Sequence, residues 1–87
     1  MTLLIDVRTP EEYAEKHIEG AVNIPVADIE SGNRGILESL EKDSPVLLYC
    51  RSGGRAGYAL ALLQKEGFTN VTNLGGMEDV IVTLHSR

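Results

Sequence analysis

Eighty-seven residues, 43% hydrophobic and 24% charged, suffice for one domain with a core, residues 1–87, and are too few for two. The formal net charge of −5, with the acids spread along the chain, argues against a nucleic-acid partner. A single cysteine excludes an internal disulfide or a thiolate zinc cluster, and no run approaches the roughly 20 apolar residues of a membrane span.

The N-terminal residues lack the basic segment and the apolar length of a signal peptide. As it stands the chain reads as cytoplasmic; with an export signal removed, it reads as periplasmic. Leu3 to Val7 is a short apolar run with the character of a buried parallel strand. Thr9-Pro10-Glu11-Glu12 combines an N-cap threonine, proline at the first helical position and glutamate at the third, predicting a capping box and a helix to about His17. Gly20 breaks the chain, and Ala21-Val22-Asn23-Ile24 is a further short strand ended by Pro25. Ser31 to Gly35 reads as a loop. Ile36, Leu37 and Leu40 then predict one face of a short helix that Asp43-Ser44-Pro45 stops.

Pro45 to Tyr49 is an apolar run with the length of a buried strand, and it delivers Cys50 to the loop Cys50-Arg51-Ser52-Gly53-Gly54-Arg55. From Arg55 to Glu66 a helix is predicted, with Ala56, Ala59, Leu60 and Leu63 on one stripe and Gly67 as its stop. Asn70 to Leu74 reads as the last strand, followed by a turn at Gly75-Gly76. Short apolar strands alternating with helices predict an α/β fold, a central parallel sheet of four to five short strands flanked by helices. Ligands of such sheets bind outside the carboxyl ends of the strands. Cys50, Asp6 to Arg8 and Gly75-Gly76 all belong at those ends.

The Cys50 loop concentrates the chemistry. An ordinary cysteine, with a pKa near 8.5, is only about 3% thiolate at pH 7, and the thiolate is the nucleophile. Three features here favour an anion. The N-terminus of the following helix offers a partial positive charge and unpaired N–H groups. Gly53 and Gly54 allow a backbone curl that points several N–H groups inward. Arg51 and Arg55 add permanent charge, and Ser52 adds a hydroxyl. A loop of this composition is built to bind a small anion and present sulfur to it.

Two segments carry a family resemblance. The first is Ile5-Asp6-Val7-Arg8-Thr9-Pro10-Glu11-Glu12-Tyr13, continuing through His17-Ile18-Glu19-Gly20-Ala21-Val22-Asn23-Ile24-Pro25. The second is Val46 to Arg55 with the helix after it and Asn73-Leu74-Gly75-Gly76. Together they resemble a single-domain rhodanese, a sulfurtransferase, over nearly the whole chain. The chain departs from many members of that family by carrying Val80 in place of a tryptophan and by a shorter C-terminal segment.

The resemblance implies a rhodanese-like fold, with Cys50 as nucleophile and persulfide carrier. It implies that main-chain N–H groups from Arg51 through Ser52, Gly53 and Gly54 to Arg55 cradle the sulfur, and that Arg51 and Arg55 draw in the donor. The implied donor is a small sulfur-bearing anion, thiosulfate, and the acceptor is cyanide or a thiol. It calls for no metal and no organic cofactor, since the carried group is covalent sulfur. No oligomer seam is evident in the sequence, so a monomer is expected.

Other residues invite simpler readings. His17 belongs to a structural segment, and His85 stands among the last three residues, where chain ends fray. Asp6, Arg8 and Glu12 are expected to tie the first strand to the following helix and to the Asn23–Pro25 turn; the alternative for Arg8, which follows a strand's carboxyl end, is a place at the pocket border. Met77 is expected at the rim or in packing, and Glu38, Glu41 and Asp43 on a solvated face. Two competing functions differ in class. A cysteine-dependent phosphatase or arsenate reductase needs a longer loop, with its arginine where this chain has Ala56. A non-catalytic module that binds partners or senses oxidants is usually marked by loss of the cysteine, and Cys50 is present.

Overall fold

The computed structural model describes residues 2–85. The chain runs β1 (Leu3–Asp6), α1 (Pro10–Glu15), β2 (Val22–Asn23), α2 (Val26–Ser31), a 3-10 turn (Gly35–Ser39), β3 (Val46–Cys50), α3 (Gly54–Lys65), β4 (Val71–Gly76) and α4 (Met77–His85). The side chain of His85 lies outside the described residues. The four strands form one parallel sheet in the order β2-β1-β3-β4, as the alternation of strands and helices predicts.

Side-chain alternation along the strands divides the core into two layers. Leu3, Ile5 and Val7 with Val46, Leu48 and Cys50 face α2, the 3-10 turn and the buried stripe Ala56, Ala59 and Leu63 of α3. Tyr49, with Leu4 beside it, faces Tyr13 of α1, the Ile18–Ala21 segment, and Met77, Val80 and Ile81 of α4. Cys50 therefore leaves the sheet on the side covered by α3.

The predicted capping box forms. Thr9 Oγ1 accepts the Glu12 N–H at 3.2 Å, and Glu12 Oε1 accepts the Thr9 N–H at 3.1 Å. Helix α1 stops two residues before His17, where Lys16 turns extended at φ −166° and its carbonyl accepts from Arg8 Nη2 at 2.6 Å. Asp6 and Arg8 form a buried ion pair, with Nη2 to Oδ2 at 2.6 Å and Nε to Oδ1 at 2.9 Å. Asn23 Nδ2 donates to the Asp6 and Arg8 carbonyls, both at 3.0 Å, so the turn after β2 is tied to β1 through the backbone.

Three expectations need correction. Pro25 does not only end a strand: it leads into α2, and Ser31, assigned to the following loop, is its last residue. Ile36 does not share a face with Leu37 and Leu40, because the segment is a 3-10 turn. At three residues per turn, Leu37 and Leu40 stack while Ile36 is rotated out to 44% exposure. Finally, Gly75-Gly76 is not a turn beyond β4 but its end. Leu48 pairs with Asn73 and Cys50 with Gly76, so β4 carries one extra residue opposite β3. Gly75 absorbs this bulge at φ 95°, a conformation with no steric cost only for glycine.

Candidate active site

Cys50 ends β3 and is 1% exposed. Its Sγ accepts two backbone N–H groups, from Gly53 at 2.9 Å and Ala56 at 3.4 Å. Gly53, the N-cap of α3, takes φ 95°, which turns the chain from the loop into the helix whose first turn supplies the Ala56 N–H. Gly54 and Arg55 stand in the first turn of α3, where N–H groups have no intrahelical acceptor. Of the N–H groups expected around the sulfur, from Arg51 to Arg55, Gly53 donates to it; the second donor, Ala56, lies one residue beyond that range.

The loop is braced from β4. The Gly53 carbonyl accepts from Asn73 Nδ2 at 3.1 Å and from the Gly57 N–H at 2.9 Å, while Asn73 Oδ1 accepts the Gly75 N–H at 2.8 Å. A Cβ on Gly76 would stand 2.5 Å from the Arg51 carbonyl oxygen, so β4 approaches the loop at a distance only glycine permits. Asn73 belongs to the Asn73-Leu74-Gly75-Gly76 motif, whose asparagine shortly before a strand-end glycine pair is the one sequence signal for this bracing role.

The arginines of the loop have different surroundings. Arg51 is exposed, forms no ion pair among the described residues, and borders a cleft of about 410 Å³. Arg8, Glu12, Glu15, Lys16, Met77 and Glu78 line the rest; Cys50 is not part of the lining. Arg55, expected as a second anion handle, has its guanidinium on Glu12: Nη1 to Oε1 at 2.6 Å and Nη2 to Oε2 at 3.1 Å. That fork, helped by the Thr9 N–H, lowers the Glu12 carboxyl to a pKa of about 2, and it raises Arg55 against the opposing effect of burial. Glu12 thus serves the capping box and the loop together, a link that the sequence did not reveal. Ser52 is exposed, and Gly54 has open space where a Cβ would stand.

His17 and Tyr49 hold structure. His17 is exposed; its Nδ1 donates to the Tyr13 carbonyl at 2.8 Å and its ring stacks on Tyr13 at 3.7 Å. The Tyr49 phenol is pushed up to about 12, chiefly by burial, and its oxygen accepts the Ile18 N–H at 3.0 Å. Glu38, Glu41 and Asp43 are exposed, as a solvated face requires. No described helix is long and apolar enough to cross a membrane.

A parallel strand that ends in a cysteine ringed by N–H groups at a helix N-terminus is the layout of a rhodanese-like sulfurtransferase. The chain belongs to that family, whose rhodanese-like domain model matches residues 1–82. It is 38% identical over 76 residues to the thiosulfate sulfurtransferase PspE of Escherichia coli (strain K12), covering 87% of this chain and 71% of that protein. It is 39% identical over 74 residues to a sulfurtransferase of Allochromatium vinosum, covering 85% of this chain and 65% of that one. A solved structure described as a rhodanese with anions from E. coli matches at a TM-score of 0.79 and 36% identity, covering 91% of each chain.

Proposed function

We propose that this protein is a thiosulfate sulfurtransferase working by double displacement through a persulfide on Cys50. The observation that carries the reading is the Cys50 sulfur held by the Gly53 and Ala56 N–H groups, at 2.9 and 3.4 Å. Backbone donors aimed at a sulfur stabilise negative charge on it, and they do so without reorganisation during the reaction.

In the first half-reaction the Cys50 thiolate attacks the outer sulfur of thiosulfate. The S–S bond of the donor breaks, its electron pair leaves with sulfite, and an S–S bond forms to Cys50. Thiolate and dianion become a persulfide anion and a sulfite dianion, so charge is conserved. In the second half-reaction cyanide or a thiolate attacks the outer sulfur, and Cys50 returns as a thiolate with thiocyanate or a new persulfide as product. Arg51, unpaired among the described residues and at the cleft border, supplies local attraction for the donor dianion in a protein of net negative charge. The first-turn N–H groups of Gly54 and Arg55 complete the cradle for the outer sulfur.

Steady-state thiocyanate production from thiosulfate and cyanide tests the reading. Parallel double-reciprocal lines, the mark of a covalent intermediate, are expected. Hydrolysis of an aryl phosphate without thiocyanate would transfer the loop to phosphatase chemistry, and inactivity in both assays would make the domain a binding or sensing module.

A further inference from the structure

We infer that Arg55 is a positioning residue: clamped by Glu12, it ties the first turn of α3 to the first turn of α1 and holds the Cys50 cradle in shape, leaving donor attraction to Arg51. This rests on the sulfur-transfer reading above and deepens it by dividing the work of the two arginines.

The geometry gives the clamp its direction. Arg55 and Ala56 share one peptide group, so the unit whose N–H reaches the Cys50 sulfur at 3.4 Å is anchored by the side chain just before it. The anchor is a two-point fork, 2.6 and 3.1 Å, which fixes a plane as well as a distance. Glu12 is itself held, since its Oε1 also accepts the Thr9 N–H at 3.1 Å and the Thr9 hydroxyl at 3.2 Å. The clamp thus runs from a capped helix to the catalytic loop with no slack member.

Electrostatics point the same way. A dianion approaching the Arg55 guanidinium meets the Glu12 carboxylate at hydrogen-bond distance from it. Turning Arg55 toward the donor would leave that carboxylate beside a second negative charge. Arg51 forms no ion pair among the described residues, and although Glu12, Glu15 and Glu78 line the same cleft, its guanidinium is clamped by none of them.

The test uses Glu12→Ala, Arg55→Ala, the double variant, the charge-swapped Glu12→Arg/Arg55→Glu pair, and Arg51→Ala. Each is measured for thiosulfate kcat and KM and for the rate at which iodoacetamide alkylates Cys50. The clamp predicts that Glu12→Ala and Arg55→Ala each lower kcat about tenfold, a fraction of the roughly hundredfold cost of a 1 Å misplacement. KM stays within about twofold, the double variant is no worse than either single one, and alkylation slows in step. The swapped pair recovers part of the loss, and Arg51→Ala raises KM.

A large rise in KM for Arg55→Ala, with KM unchanged or lowered for Glu12→Ala, would make Arg55 a donor-binding residue and overturn the inference; additive losses would do the same. Glu12→Gln and Arg55→Lys, which weaken the fork while keeping side-chain size, replace the alanine variants if those unfold. Wild-type protein that takes no sulfur from thiosulfate would refute the transferase reading alone. The alkylation series still decides the clamp then: an equal, non-additive slowing supports it, and unchanged rates reject it.

Discussion

Gly76→Ala is the sharpest structural perturbation available near Cys50. The added Cβ falls 2.5 Å from the Arg51 carbonyl oxygen, 3.2 Å from the Arg51 carbonyl carbon and 3.4 Å from Ser52 Cα. All three are backbone atoms, so no side chain can rotate away. Reaching even 3.0 Å, the lower limit of real Cβ contacts, requires the loop or the end of β4 to retreat by about 0.5 Å. Overpacking of this kind costs about 2 kcal/mol, which in a domain of this size lowers Tm by roughly 8–16 °C. Because the displaced segment leads directly into the Gly53 N–H on Cys50 Sγ, sulfur transfer should fall by about tenfold or more. Thermal unfolding followed by circular dichroism and thiocyanate production read the two effects. Gly54→Ala is the control for stability: nothing lies within 4 Å of its added Cβ in the first turn of α3, so a gain of about 0.5 kcal/mol is expected. A Gly76→Ala protein that melts and turns over like the parent would refute the claim that β4 braces the loop by close backbone contact.

Asp6→Asn removes the carboxylate that Arg8 grips through Nε and Nη2 in a fully buried position, and should cost about 3–5 kcal/mol, read as a lower urea midpoint with an unchanged slope. An unchanged midpoint would mean the pair contributes only packing. The Glu12 carboxyl, held near 2 by Arg55 against an ordinary 4.5, contributes stability that is present above pH 4.5 and lost as pH falls toward 2. With the Glu12 side chain 26% exposed and Arg55 37%, solvent screening limits this to about 1 kcal/mol. Glu12→Gln should remove that part of the acid limb in urea titrations between pH 5 and 2; an identical limb would show the fork is not formed in solution.

Much of the fold is legible in the chain because its signals are local. The capping box at Thr9 and Glu12, the apolar runs of β1 and β3, and the Ala56–Ala59–Leu63 stripe each act within a few residues. Cys50 at its strand end and the Gly53 donor are legible for the same reason, since strand end, glycine and helix start are consecutive; the Ala56 donor lies one residue past the expected range. What escaped is non-local or depends on a subtle period. The bulge at Gly75 exists only because β4 must pair with β3 and also reach Gly76 to Cys50. The 3-10 period around Leu37 and the helical one differ by a fraction of a residue per turn, enough to turn Ile36 outward. The Glu12–Arg55 fork joins residues 43 positions apart, and Asn73 reaches Gly53 across 20. No pattern within either segment announces such a partner.

The central claim is that Cys50 carries the transferred sulfur, and intact mass after incubation with thiosulfate alone tests it most directly. Wild-type protein should gain one sulfur atom per chain and release an equal amount of sulfite, with the added sulfur lost again on exposure to cyanide. Cys50→Ser should show neither change. A wild-type mass that stays fixed with no sulfite released, or a sulfur gain that persists in Cys50→Ser, would contradict it.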